Sequence, residues 1–145
     1  AMPSFLSEAL PSSSIDVVEL EEAVVQAALG AMGFVSSPRL RVFVGDGAAF
    51  ALKRATEAVR NVTSVSAGAY DAVILDAYSP TEGIPDAFVN PEGDFTRALA
   101  KGLLRKSGGV LVTNLLPRFD PAPFLGAYMS ALREASFEDG GATHV

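Results

Sequence analysis

From Ala72 to Leu75 the chain is unbroken apolar, led in by Tyr70-Asp71 and stopped by Asp76. Such a run predicts a strand buried on both faces, as in a parallel sheet. Three other stretches have strand character. Ile15-Asp16-Val17-Val18-Glu19-Leu20 is apolar with a carboxylate near its end. Arg39-Leu40-Arg41-Val42-Phe43-Val44 alternates and then turns apolar, which suits a strand nearer an edge, and Gly45-Asp46-Gly47 ends it. Val110-Leu111-Val112-Thr113-Asn114-Leu115 follows the turn Ser107-Gly108-Gly109 and reads as another buried strand.

Helical periodicity fills the intervals. A short helix is predicted over residues 2–10, where Phe5, Leu6 and Leu10 share a face, and Pro11 with three serines breaks it. A second opens at Glu21 or Glu22, runs to about Met32 and stops at Gly33. It is apolar almost all round, so it is expected to be covered on most sides. A third spans 48 to about 59, with Leu52, Ala55 and Val59 along one stripe. Residues 61–69 are small and polar and read as loop. Residues 77–93 hold three prolines and two glycines, with Phe88 as the main apolar anchor. That is long for a connection and makes the segment a candidate substrate loop. A fourth helix runs from an Asp94 cap to about Lys106, with Lys101, Arg105 and Lys106 toward its C-terminus. Pro117, Pro121 and Pro123 mark a loop, and a last helix covers 124 to about 134. Strands alternating with helices predict an α/β fold: a mostly parallel sheet with helices on both faces. Right-handed crossovers then bring every strand C-terminus to one edge.

Composition narrows the picture. At 145 residues the chain is one domain's worth, and 49% hydrophobic content supports a real core. No apolar run is long enough to span a bilayer and no basic, apolar leader is visible, so a cytoplasmic protein without a membrane segment is expected. Zero cysteines exclude disulfides and thiolate metal sites, and no metal is expected. The single histidine, His144, lies next to the last residue and reads as tail. A formal charge of −6 offers no footprint for nucleic acid or an anionic membrane. Asn61-Val62-Thr63 matches a glycosylation acceptor, which without a secretory signal is read as coincidence.

Three predicted strand ends carry acids: Glu19, Asp46 and Asp76. Each has a plain structural explanation. Glu19 can satisfy free N–H groups at a helix entry, Asp46 can cap a turn between glycines, and Asp76 can cap the turn after it. Together on one sheet edge they suit a ligand rich in hydroxyls and amines, such as a nucleoside: Glu19 for the ribose hydroxyls, Asp46 for an exocyclic amine.

Taken in order, the Ile15–Leu20 motif, Gly45-Asp46-Gly47, Tyr70-Asp71-Ala72-Val73-Ile74-Leu75-Asp76 and Gly108-Gly109-Val110-Leu111-Val112-Thr113-Asn114-Leu115 resemble the spermidine synthase-like branch of class I S-adenosylmethionine-dependent methyltransferases. The resemblance implies a Rossmann-like sheet, with S-adenosylmethionine or its decarboxylated form as cofactor. It implies Glu19, Asp46, Gly47 and Asp76 as cofactor-binding residues. Asp76 is also implied as the catalytic acid beside sulfonium and amine, with Tyr78 and Ser79 facing the substrate.

Two departures from the family shape the expectation. Polyamine synthases carry a second aspartate where this chain has Ser79, and a neutral hydroxyl anchors a cationic amine poorly. That favours methyl transfer to an amine, including a protein amine, over aminopropyl transfer. The family's first strand and glycine-rich turn are also not found, and the chain reads as starting just after that turn and ending before the last antiparallel hairpin. It is thus expected to be a single partial domain over 1–145. An inactive Rossmann-like interaction module is the non-enzymatic alternative. The strands at 15–20 and 70–76 would flank the absent first strand, so direct pairing between them or self-association through exposed edges is expected.

Overall fold

The computed structural model describes residues 2–60, 68–79, 84–106, 108–116 and 120–137. The Asn61-Val62-Thr63 motif, Ser107, Pro117 and His144 lie outside them. The chain divides into two compact units, one through Phe50 and one from Ala51.

The first unit contains α1 (Met2–Ala9), β1 (Ile15–Glu19), α2 (Glu22–Ala31), β2 (Leu40–Val44) and the start of α3 (Gly47–Arg60). β1 and β2 pair in parallel, from Ile15 opposite Leu40 to Glu19 opposite Val44. Parallel neighbours need a crossover, and α2 supplies it. Both α1 and α2 contact the strand pair. Cross-strand partners Asp16 and Arg41 form an ion pair, with Arg41 Nε donating to Asp16 Oδ1 at 2.7 Å. Phe43 of β2 packs on Phe50 of α3 with ring centroids 4.9 Å apart. The stop at Gly33 is found as expected: α2 ends at Ala31, and Gly33 takes φ +69, a left-handed conformation that side chains resist. The expected cover on α2 is not found. Only Val25 is buried, while Val24 and Leu29 are exposed. Its Ala, Val and Leu residues extend round the helix, but the neighbouring strand pair covers only one side.

The second unit holds the remainder of α3, then β3 (Ala72–Leu75), α4 (Asp86–Val89), α5 (Asp94–Ala100), β4 (Val110–Thr113) and α6 (Ala122–Phe137). β3 and β4 are parallel, with Ala72 opposite Val110 and Leu75 opposite Thr113. Here α4 and α5 form the crossover. The helices pack through aromatic rings: Phe95 meets Phe88 edge-on at 5.2 Å and Tyr128 at 5.5 Å. Phe95, Ala98, Leu99 and Leu103 are almost wholly buried. Thr96, a polar residue in this core, donates its hydroxyl to the Asn90 carbonyl at 2.8 Å.

Several expectations are corrected in this unit. β3 and β4 are not buried on both faces. Leu75 is buried, but Ile74, Val110 and Val112 are exposed, because alternate residues of two paired strands fall on opposite faces. α5 ends at Ala100 and does not reach Lys106. Gly102 at φ +91 donates to the Leu99 carbonyl and Leu103 to the Ala98 carbonyl, the paired bonds of a Schellman stop. Leu104 then bridges to Tyr70 beside the strand pair. Gly93 takes the cap position before α5, and Asp94 becomes the first helical residue, bonded to Arg97. Part of the predicted 77–93 loop is helical, as α4. α6 begins two residues earlier than expected and ends three later, opened by Asp120 Oδ1 accepting from Ala122 N–H at 2.9 Å.

Among the described residues β1 pairs with β2 and β3 with β4. Each strand bonds the partner that its own crossover returns to it.

Candidate functional site

In the first unit the parallel register brings the ends of β1 and β2 side by side. Gly45 N–H donates to the Glu19 carbonyl at 2.9 Å, so Glu19 and Asp46 sit at the same edge. Glu19 Oε1 accepts from Glu21 N–H at 3.0 Å, which satisfies a backbone donor at the entry to α2. Asp46 Oδ1 accepts from Ala49 N–H at 2.7 Å and caps α3, whose first residue is Gly47. The plain structural roles anticipated for both acids are thus present. Each role uses one carboxylate oxygen. Among the described residues no hydrogen bond engages Glu19 Oε2 or Asp46 Oδ2. A carboxylate has about four lone-pair sites, so capping leaves acceptor capacity for a ligand.

In the second unit the ends of β3 and β4 are joined in the same way. Asn114 N–H donates to the Leu75 carbonyl at 2.9 Å, setting Asn114 beside Asp76. The Asn114 side-chain amide then donates to Asp76 Oδ1 at 2.9 Å. The Tyr78 hydroxyl lies 3.5 Å from the Asn114 carbonyl oxygen. Partial desolvation raises the Tyr78 phenol above its ordinary value, with the charge of Asp76 and a hydrogen bond to it adding to the rise. Asp76 and Tyr78 are exposed and Ser79 is half-buried. Asp86 is the first residue of α4 and is exposed.

Asn114 was not singled out from sequence as a site residue. The signal was available: it follows β4 as Asp76 follows β3. A neutral amide simply attracts less notice than an acid. A cavity among Leu99, Leu104, Gly109, Leu132 and Ala135 lies elsewhere, toward the N-terminal end of β4. Ligands of open α/β sheets bind at the opposite, carboxyl ends of the strands.

Parallel strand–helix–strand units with acids at their carboxyl ends define a Rossmann-like α/β protein of the kind that holds nucleotide-like ligands. No family model matches the chain. It is 34% identical over 103 residues to putrescine N-methyltransferase 4 of Nicotiana tabacum, covering 68% of this chain and 22% of that one. It is 34% identical over 104 residues to spermidine synthase of Solanum lycopersicum, covering 68% and 25%. Among solved structures, human methyltransferase-like protein 13 in complex with SAH superposes with a TM-score of 0.65 at 28% identity, over 92% of this chain and 55% of that one. The chain has the Rossmann-like fold of class I methyltransferases and is similar in sequence to members of the spermidine synthase-like branch. It spans about a quarter of the length of the curated relatives it matches. Among the described residues, no helix is long and apolar enough to cross a membrane.

Proposed function

We propose that this chain is part of an S-adenosylmethionine-dependent methyltransferase acting on an amine, either a small polyamine or a protein amine. The observation that carries the reading is the Asp76 carboxylate, held by Asn114 where β3 and β4 end together. The names of the relatives, amine methylation in one and spermidine synthesis in another, agree with an acid placed to receive an amine. When bound, the cofactor supplies a methyl group on a sulfonium, which an unprotonated amine attacks.

The residues fit such a cofactor by the chemistry of their donor set. Glu19 would accept from ribose hydroxyls and Asp46 from the adenine amine, each through the oxygen its cap leaves over. Gly47, which opens α3 and carries no Cβ, would let a ligand approach the backbone closely. Asp76 would accept an N–H of the incoming amine, orient its lone pair and help remove its proton. Tyr78 and Ser79 would border the acceptor. In this reading the chain contributes one partial domain of a cytoplasmic enzyme that self-associates through its exposed strand edges.

Aminopropyl transfer from decarboxylated S-adenosylmethionine is the second reading. The spermidine synthase match, as strong in identity and coverage as the methyltransferase match, supports it. Ser79 in place of a second acid weighs against it.

The test is turnover by the full-length protein with each cofactor form, offered putrescine and a panel of protein amines, with products weighed by mass spectrometry. Gain of a methyl group is expected. Gain of an aminopropyl group selects the second reading. No transfer with either cofactor, together with no cofactor binding by calorimetry, overturns both and leaves an interaction module. Solution mass checks self-association: a monomer at all concentrations refutes that part.

A further inference from the structure

We infer that Asn114 is a positioning residue that holds the Asp76 carboxylate in a single orientation across the ends of β3 and β4. The inference deepens the proposed function and rests on the reading of Asp76 as the acid that receives the amine.

Three observations carry it. The Asn114 amide nitrogen is 2.9 Å from Asp76 Oδ1, a good hydrogen-bond distance. The main chain of Asn114 is itself fixed by its N–H bond to the Leu75 carbonyl, the residue just before Asp76. Donor and acceptor are therefore set on adjoining backbones by the same ladder. Finally, Asn114 and Asp76 are both exposed, so the pair does not exist to satisfy buried polar groups.

The residue type matters. An exposed carboxylate rotates freely unless something ties one oxygen down. A lysine or arginine would do so, but would neutralise the acid and repel an incoming cationic amine. An asparagine ties Oδ1 without adding charge. The negative charge of Asp76 stays available, and its second oxygen keeps a defined direction. The Tyr78 hydroxyl beside the Asn114 carbonyl adds a third group from the same two strand ends. The Tyr78 phenol is raised first by desolvation, with the charge of Asp76 adding to the rise.

Two measurements on the full-length protein test the inference. The first does not depend on activity. With asparagine side chains labelled by 15N, the Asn114 amide protons should shift and exchange faster with water when Asp76→Ala removes their acceptor. Unmoved resonances overturn the inference. The second measures methyl transfer to putrescine. Asn114→Leu, close in shape but without a donor, should lower kcat by ~10- to 100-fold, the scale of a misplaced catalytic group. KM for S-adenosylmethionine should stay unchanged, and Asn114→Gln should recover part of the loss. A kcat equal to the parent protein's, or a loss confined to the cofactor's KM, overturns the positioning role. If the parent protein does not methylate putrescine, that acceptor is refuted under the proposed function. The amide resonances then decide the inference alone.

Discussion

Asp76→Asn separates charge from shape at the end of β3. The asparagine keeps the outline of the aspartate and still offers a carbonyl oxygen to the Asn114 amide, 2.9 Å away in the parent structure. The hydrogen bond between strand ends should therefore survive, and only the negative charge is lost. Both residues are exposed, so the charge-assisted part of that bond competes with water. The stability cost should be about 1 kcal/mol or less, the range of exposed charge interactions. The cost in the reaction should be much larger. A positioned acid–base group contributes roughly 10²- to 10⁴-fold in rate, which corresponds to about 3–5 kcal/mol of transition-state stabilisation. The two figures differ enough for one pair of experiments to distinguish them. Thermal unfolding should show Tm lowered by a few degrees at most, while steady-state methylation of an amine falls by at least ~100-fold. Cofactor affinity should change little, because the assigned nucleoside contacts come from Glu19 and Asp46. Parent-like turnover in the folded variant would refute a catalytic Asp76. A rate loss matched by unfolding would show that its role is structural.

Glu19→Ala should weaken S-adenosylmethionine binding by roughly 10- to 100-fold by calorimetry, since hydrogen bonds to a charged group contribute about 1.5–3 kcal/mol. Glu19→Gln retains the acceptor for Glu21 N–H and serves as the folding control; equal affinity in all three proteins would remove Glu19 from the site. Phe95→Ala removes the ring between Phe88 and Tyr128 and should destabilise by about 3–5 kcal/mol in denaturant titration. A cost below about 1 kcal/mol would mean the aromatic cluster closes over the gap. Burial raises the Tyr128 phenol well above its ordinary value, so the folded state keeps a proton that the unfolded chain gives up near pH ~10. Stability should then be fully present below that pH and fall as pH rises above it, and Tyr128→Phe should flatten this slope in alkaline melts. An unchanged slope would place the titrating group elsewhere.

The order of elements was legible in the sequence because it depends on local signals. Apolar or alternating runs marked the four described strands, and Gly33 marked a helix end through a conformation only glycine enters easily. The acids were legible for a related reason. A carboxylate closing an apolar run stands out whatever the chain does next, and Glu19, Asp46 and Asp76 each lie at or just after a strand end. What failed were the judgements that depend on distant neighbours. The runs in β3 and β4 suggested burial on both faces, but composition cannot say which face a helix will cover, and Ile74, Val110 and Val112 are exposed. Leu103 and Leu104 continue a helical pattern beyond α5, yet Gly102 turns the chain so that Leu104 meets Tyr70, a partner far away in sequence. Asn114 belongs with Asp76 only because the β3–β4 register sets residues 38 apart at hydrogen-bond distance. Sequence by itself determined which residues end the strands. Tertiary structure decided which of those ends meet, because strand pairing is a contact between distant segments and leaves no trace in either segment alone.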